Sequence, residues 1–278
     1  MDELGLDIDQ VLPWFEEEQN SSYLMIQVPS DMSEQWAGDL ALAIRRCYIG
    51  DGDLIQRAGE LEQQLGGTVR SRQIAVIGAK LPDPGSTMSG DFGEIITYLF
   101  QAIRHHPQVA FGPKKWRLKQ DRTKPAPYSD VVHFVLPQWP TPCEDDQLLC
   151  AEVKSKSTSG DSSPIQAAIA DSAKDRTTRL AKTLVWLRDR AITHSLGTTT
   201  LAHLNRFIKA TDHPEATRRF FAVAVVCANL VETELQDAPQ AQPDGCSVVV
   251  VVVPDLKAVY EACFAAAKVR TAPGGSEA

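Results

Sequence analysis

The chain has 278 residues, a hydrophobic fraction of 43% and a formal net charge of −8, a composition typical of a globular protein with a sizeable core. No apolar run approaches the roughly 20 residues that a membrane-spanning helix needs, and the start Met1-Asp2-Glu3 lacks the basic and apolar regions of a signal peptide. Six cysteines are scattered without a Cys-x-x-Cys pair, which favours a reduced, cytoplasmic protein.

The first part of the chain is predicted to form an acidic α+β segment. Residues 1–70 contain fourteen Asp and Glu against four Lys and Arg, so their net charge is −10. An apolar strand pattern at 23–28 is followed by helical spacing over 33–48 and 53–65. Because this pattern is not that of a solvated acidic tail, we interpret 1–70 as a docking or regulatory segment and 71–278 as a second domain.

The predicted elements beyond residue 70 mix strands and helices. They are a strand at 73–81, a loop at 82–90, a helix at 91–105, strands at 116–120, 130–136 and 148–155, a broken helix at 164–195, a helix at 201–209, strands at 220–230 and 246–253, and a helix at 255–270 with Asp255 as its N-cap. The strands at 220–230 and 246–253 are continuous apolar runs, typical of central strands buried on both faces. The order predicts an α/β fold with a mixed sheet flanked by helices.

Three charged residues on two of these strands suggest chemistry. Glu152 and Lys154 are two apart on one strand, so they point to the same face, and Asp130 opens the neighbouring strand. The simplest alternative is an exposed ion pair on an edge strand. The apolar residues around Glu152 argue against it, because they predict a buried central strand, where isolated charges are costly unless they are paired or bind a metal.

Two carboxylates and a lysine are the groups that a magnesium-dependent phosphodiesterase needs. Mg²⁺ prefers oxygen ligands, and Asp130 and Glu152 supply carboxylates. Such a cation activates water and neutralises charge on a phosphate that is under attack. We assign Lys154 a positioning and electrostatic role, because a lysine base would need a lowered pKa while the neighbouring carboxylates raise it.

The order Asp, then Glu-Val-Lys on an adjacent strand, after a helix that carries a glutamate, resembles the PD-(D/E)xK nuclease superfamily of restriction-endonuclease-like folds over about residues 85–265. The usual proline before the aspartate is absent. The resemblance implies that Asp130, Glu152, Lys154 and Glu94 are catalytic, and that Asp130, Glu152, Glu94 and the Val153 backbone carbonyl bind Mg²⁺, with Mn²⁺ as a substitute. Glu94 also has a structural alternative, a capping box with Asp91.

A finer resemblance involves more of the chain. The runs Gly-Asp-Phe-Gly-Glu (90–94), Lys-x-Asp-Arg (119–122), Ser-Asp-Val-Val (129–132) and Ala-Glu-Val-Lys-Ser (151–155) are similar to those of the nuclease subunit of bacterial Hachiman anti-phage systems. This similarity implies a DNA-directed nuclease that works with a helicase encoded beside it.

Basic residues just before Asp130 are predicted to contact the phosphate backbone of DNA. The stretch 114–124 holds six basic residues and one acid, the basic ones being Lys114, Lys115, Arg117, Lys119, Arg122 and Lys124. A further polar active-site residue is expected on the helices after the Glu-x-Lys strand, where spacing does not choose among Gln166, Lys174 and Arg179.

The leading hypothesis is a metal-dependent DNA nuclease of anti-phage defence that acts with a helicase. Two alternatives stay open: a catalytically silent DNA-binding or docking subunit of a helicase complex, and a nuclease directed at RNA. Retention of Asp130, Glu152 and Lys154 argues against the silent subunit, which has no need of all three.

Overall fold

A mixed β-sheet runs through the computed structural model, which describes residues 1–19, 23–239 and 243–273. Within these ranges the sheet has seven strands in the order β1-β2-β7-β6-β5-β4-β3. The strands are β1 (Glu16–Gln19), β2 (Leu24–Gln27), β3 (Ala110–Phe111), β4 (Val131–Val135), β5 (Gln147–Lys156), β6 (Thr217–Cys227) and β7 (Ser247–Val253). The middle of the sheet, from β2 to β5, is parallel, and β1, β4 and β3 pair antiparallel to their neighbours.

Helices cover both faces of this sheet. They are α1 (Ile8–Val11), α2 (Ser30–Tyr48), α3 (Asp51–Leu65), α4 (Val69–Lys80), α5 (Ser86–Arg104), α6 (Pro164–Lys174), α7 (Leu180–Ala191), α8 (Leu201–Ile208), α9 (Val231–Gln236) and α10 (Leu256–Ala267). The predicted mixed α/β architecture is confirmed. None of the helices in the described ranges is both long and apolar enough to cross a membrane.

The continuous apolar runs form the centre of the sheet, as predicted. In β7 every residue from Val248 to Val253 is buried, and β6 is buried from Ala222 to Cys227. Both strands have a neighbour on each side and helices on each face, so neither face is in water. The strand with the Glu-x-Lys pair, β5, lies between β6 and β4 and is likewise central.

The acidic N-terminal segment belongs to the same sheet and core as the rest of the chain. Strand β2 pairs in parallel with β7, from Leu24 opposite Val249 to Gln27 opposite Val252. Trp36 and Leu40 of α2 are fully buried in a core that also contains residues of α5 and α10. The hydrophobic core is therefore continuous across residue 70, where the sequence suggests a boundary.

Two predicted strands are wrong, and one predicted helix cap lacks its hydrogen bond. Residues 73–81 lie mainly in α4, whose first turn is closed by a capping box between Thr68 and Ser71, and a short apolar run does not by itself distinguish strand from helix. Residues 115–118 form a 3₁₀ turn, not a strand. Asp255 stands at the N-cap position of α10, as predicted, but it has left-handed backbone angles and its side chain makes no capping hydrogen bond.

Candidate active site

The proposed catalytic residues on the sheet come together where β4 begins beside β5. Glu152 is buried, with only 2% of its side chain exposed, and Lys154 Nζ donates a hydrogen bond of 2.6 Å to its Oε1. The two side chains therefore share one face of β5, as their spacing predicts. Asp130 immediately precedes β4, whose pairing with β5 starts at Val131 opposite Ala151, so Asp130 lies beside Glu152.

The Asp130 carboxylate is fixed by the backbone of β5. Its Oδ2 accepts a hydrogen bond of 2.8 Å from the Val153 N–H. The N–H and C=O of one strand residue point toward the same neighbour, so the Val153 carbonyl also faces the side on which Asp130 lies. This carbonyl and the Asp130 carboxylate thus direct two oxygen atoms toward one region.

Glu94 reaches this region from helix α5. The helix begins at Ser86, so Asp91 and Glu94 lie within it and the capping-box alternative is wrong. Asp91 instead binds Lys119 at 2.7 Å and accepts a hydrogen bond from Tyr48. Glu94 is buried, and its Oε2 has no hydrogen-bond partner among the described residues. Burial and the charges of Asp130 and Asp91 raise its pKa well above the usual range.

The carboxylates on the sheet repel one another. Burial and the charge of Asp130 raise the pKa of Glu152 to about 7, in spite of Lys154 and Arg179 beside it. Burial also raises the pKa of Asp130, although Lys115 and the Val153 N–H act in the opposite direction. At all three acids, burial is the main cause that disfavours the ionised form, and for Glu94 and Glu152 the charge of Asp130 adds to it.

Lys154 is held as a cation by two carboxylates. Besides Glu152 it binds Asp171 of α6 at 2.8 Å. Burial alone would lower its pKa, but these hydrogen bonds and charges raise it above the ordinary lysine value. Asp171 shows the converse effect, since hydrogen bonds from Lys154 and Lys174 overcome burial and lower its pKa to about 2. Lys154 therefore stays protonated near neutral pH, which suits a positioning role and not that of a general base.

Arg179 is the residue that the helices after β5 bring to the site. It lies in a π-helical turn, Asp175–Arg179, between α6 and α7, and such turns often occur at functional sites. Its Nη2 contacts Glu152 Oε2 at 2.5 Å, and its Nε binds Asp175 Oδ1 at 2.7 Å. The other two candidates lie elsewhere, since Gln166 bonds the Asp237 carbonyl and Lys174 pairs with Asp171.

Sequence reasoning missed the acids that hold these cations. Asp171 binds Lys154, and Asp175 binds Arg179 and accepts a hydrogen bond of 2.6 Å from Ser129, the residue before Asp130. Asp171, Asp175 and Arg179 are each four residues apart, which places them on one side of a helix. This spacing is the sequence signal that could have identified the two acids.

Most of the basic stretch before Asp130 is internal. Lys114 bonds the Tyr98 hydroxyl and pairs with Glu3 at 3.1 Å, and Lys115 donates to the Ser129 carbonyl. Lys119 pairs with Asp91, while Arg117 pairs with Glu3 and donates to the Arg46 carbonyl. The side chains of Lys114 and Lys115 are buried and those of Lys119 and Arg117 nearly so, and all four have partners within the chain. They are therefore not placed to contact a DNA backbone.

Two members of the predicted basic surface remain accessible. Arg122 pairs with Asp83 at 2.6 Å and is 36% exposed, and Lys124 is 75% exposed with Asp121 at 3.4 Å. Both pairs are at the surface, where ion pairs are weak and a phosphate competes readily for the cation. The DNA-contact prediction therefore stays in place for Arg122 and Lys124.

The donor set fits a hard divalent cation. Within the described ranges no three Asp, Glu, His or Cys side chains form a ready-made metal cluster, and Lys154 and Arg179 occupy both oxygens of Glu152. Two features are nevertheless of the kind that a bound cation would relieve. The buried Oε2 of Glu94 has no hydrogen-bond partner among the described residues, and the Glu94 and Asp130 carboxylates repel each other. Oxygen-only ligands favour Mg²⁺ or Mn²⁺ over zinc.

Comparison with known proteins gives one family. No curated protein matches the chain in sequence. The family model of HamA, a component of Hachiman anti-phage defence, matches residues 10–267 of 278. The match includes all of the elements that build the candidate site, from α5 to the π-helical turn. The chain therefore belongs to the HamA family.

Proposed function

We propose that this chain is a Mg²⁺-dependent deoxyribonuclease that acts in the cytoplasm with a helicase partner in Hachiman defence. The observation that carries the proposal is the convergence of Asp130, Glu152 and Glu94, with Lys154 and Arg179, where β4 begins beside β5. A cluster of buried charges costs stability, and function explains why a sequence would maintain it. The order of these residues is that of the PD-(D/E)xK nucleases.

Each residue has a role that its surroundings support. Asp130, Glu152, Glu94 and the Val153 carbonyl would hold Mg²⁺, which supplies an activated water and charge neutralisation at the phosphate. Lys154, kept protonated by Glu152 and Asp171, would orient the scissile phosphate and balance its charge. The following helix places Arg179 beside Glu152, where its planar guanidinium is suited to bind a second phosphate oxygen.

The proposal is tested by cleavage of supercoiled plasmid with the full chain and its helicase partner. We expect nicked or linear DNA with Mg²⁺ or Mn²⁺ and intact plasmid in excess EDTA. Single-stranded RNA of matched length tests the alternative substrate in the same buffer. Undiminished cleavage in EDTA would remove the metal mechanism, RNA cleavage alone would make the chain a ribonuclease, and no cleavage by the activated complex would favour the silent docking subunit.

The raised pKa of Glu152 predicts a pH-dependent reaction. The cation binds the ionised carboxylate, and with a pKa of about 7 the ionised fraction rises roughly tenfold between pH 6 and pH 8. At limiting Mg²⁺ the cleavage rate should rise about tenfold over this range, and the rise should shrink at high Mg²⁺, which competes with the proton. Initial rates at two Mg²⁺ concentrations measure this. A flat profile at limiting Mg²⁺ would contradict the assignment.

We propose that the helicase partner binds the acidic edge of the sheet. Strand β1 is an edge strand, and its Glu16, Glu17 and Glu18 are all exposed. Charges on an edge strand prevent indiscriminate strand pairing and steer a basic partner. Deleting residues 1–70 does not test this, because β2 and α2 belong to the common core.

Charge reversal tests the acidic edge without removing the core. Changing Glu16, Glu17 and Glu18 to Lys should weaken the complex with the helicase at least tenfold at low salt. Added salt should weaken the wild-type complex over the range of concentrations at which surface charges are screened. Reversal of three exposed acids elsewhere, Glu144, Asp145 and Glu215, is the matched control. Co-purification and titration calorimetry measure the affinities, and equal effects of the two triple variants would reject this docking surface.

A further inference from the structure

A concave surface, separate from the candidate active site, lies at the end of the sheet from which the parallel strands start. It has a volume of about 870 Å³ and is lined by the first residues of β5 and β6, the end of α5 and the turn before β7. Gln147 of this cleft opens β5, five residues before Glu152. Because a strand rises about 3.3 Å per residue, the cleft lies roughly 17 Å from the candidate active site along β5.

The lining of the cleft is strongly cationic. It contains Arg104, Arg218 and Arg219, against Asp244 as the one acid among its lining residues. Arg218 and Arg219 are exposed, and neither forms an ion pair with any described residue. Arg104 has a long contact of 3.6 Å with Glu17, and its guanidinium lies over the Phe100 ring. Adjacent arginines without acidic partners leave a positive potential that attracts phosphate groups.

Aromatic and polar groups accompany these arginines. Phe220 and Phe221 follow them on β6 and are partly buried; their side chains point to opposite faces of the sheet, and both residues line the cleft. Gln147 contributes a side-chain oxygen that is buried and has no hydrogen-bond partner among the described residues. Arginines for phosphates and phenylalanine rings for stacking are a combination found where proteins bind single-stranded nucleic acid, and the unpaired acceptor can bind a base N–H.

One turn of helix links this cleft to the candidate active site. Arg176 donates to the Asp244 carbonyl in the turn that lines the cleft. Arg179, three residues later in the same π-helical turn, contacts Glu152. A strand bound in the cleft would therefore contact the turn at 243–247, which is hydrogen-bonded to the helical turn that carries Arg179.

We propose that this cleft binds single-stranded DNA, with its phosphates on Arg218, Arg219 and Arg104 and its bases against Phe220 and Phe221. The choice of DNA rests on the proposed nuclease function. A single strand is required because only unpaired bases expose the faces that stack on phenylalanine, and because the cleft is of the size that holds small ligands. The cleft would hold the strand away from the cleavage point, as an anchor for the substrate.

Binding in EDTA tests the cleft separately from catalysis. Anisotropy of a fluorescein-labelled oligodeoxythymidylate should show at least tenfold weaker binding for the double variant Arg218→Gln and Arg219→Gln than for the wild-type chain. The dependence of log affinity on log salt should flatten by about 1–2, since two phosphate contacts are lost. The control variant, Arg57→Gln with Arg188→Gln, removes the same charge from two helix positions, where Arg57 is exposed and Arg188 is partly exposed beside Asp189, and it should bind nearly as the wild type does.

Three results would overturn the proposal: unchanged binding by the double variant, an equal loss in the control variant, or competition by duplex or RNA as effective as that by unlabelled single-stranded DNA. Melting curves establish that both variants are folded. The Glu152→Gln chain, measured in parallel, should keep its affinity for the oligonucleotide. If Glu152→Gln and the wild type both bind the oligonucleotide, but neither chain cleaves DNA when it is combined with the helicase, the nuclease proposal fails and the proposal for the cleft stands.

Discussion

DNA cleavage should fall at least 100-fold in Glu152→Gln and in Lys154→Ala, because each change removes a charge that would contact the cation or the scissile phosphate. The fold should persist. Without Glu152, Lys154 keeps Asp171 and Arg179 keeps Asp175 as partners, so no cation is left buried and unpaired. Cleavage and thermal melting are to be measured on the same preparations of the helicase complex.

The matched control is Lys174→Ala. Lys174 binds Asp171, as Lys154 does, but it is 65% exposed and makes no contact with Glu152. Its removal should leave cleavage within about threefold of wild type, since an exposed ion pair contributes little. Cleavage at the wild-type rate by a folded Lys154→Ala chain would exclude the proposed site. An equal loss in Lys174→Ala would instead attribute the effect to Asp171 alone.

Glu94→Gln should make the metal-free protein more stable while abolishing cleavage. Because the folded-state pKa of Glu94 is raised, the folded protein holds a proton that the unfolded chain loses near pH 4.5, and stability falls as pH rises above that value. Glutamine at position 94 does not ionise, so it removes this pH-dependent loss of stability. Chemical denaturation in EDTA should therefore show a gain on the order of 1 kcal/mol at pH 8 and little difference at pH 4.

Asp91→Asn is the matched control for Glu94, because it neutralises another buried acid of the same helix. Asp91 is paired with Lys119 and Tyr48, so its neutralisation leaves a buried lysine without its partner and should destabilise the fold. Added Mg²⁺ should raise the melting temperature of the wild type but not that of Glu94→Gln, since a ligand stabilises only the state that binds it. A less stable Glu94→Gln protein that still responds to Mg²⁺ would contradict the role of Glu94.

Local patterns were sufficient to predict the centre of the sheet and part of the site. The valine run at 248–253 and the apolar residues around Glu152 identified the central strands, because a strand buried on both faces needs apolar side chains on each. The spacing of Glu152 and Lys154 predicted their shared face, since side-chain direction alternates along a strand. Both inferences depend only on neighbouring residues.

Features that depend on distant partners could not be predicted in this way. Strand β2 joins β7 across more than 200 residues of sequence, and no local signal marks that pairing, so the acidic segment looked separate. Lys114 and Lys119 looked like a DNA surface because their partners, Tyr98, Glu3 and Asp91, come from other elements. A charge run predicts solvent exposure only when no such partners are present.

The location of Mn²⁺ in crystals of the active protein tests the central claim most directly. Mn²⁺ substitutes for Mg²⁺ at oxygen sites, and its anomalous scattering identifies it without reference to a geometric assumption. We expect a peak bounded by Asp130, Glu152 and the Val153 carbonyl, with Glu94 facing it, and with Arg179 moved from its contact with Glu152. A preparation that cleaves DNA in Mn²⁺, but whose crystals bind the ion elsewhere and leave these carboxylates paired with Lys154 and Arg179, would contradict the account.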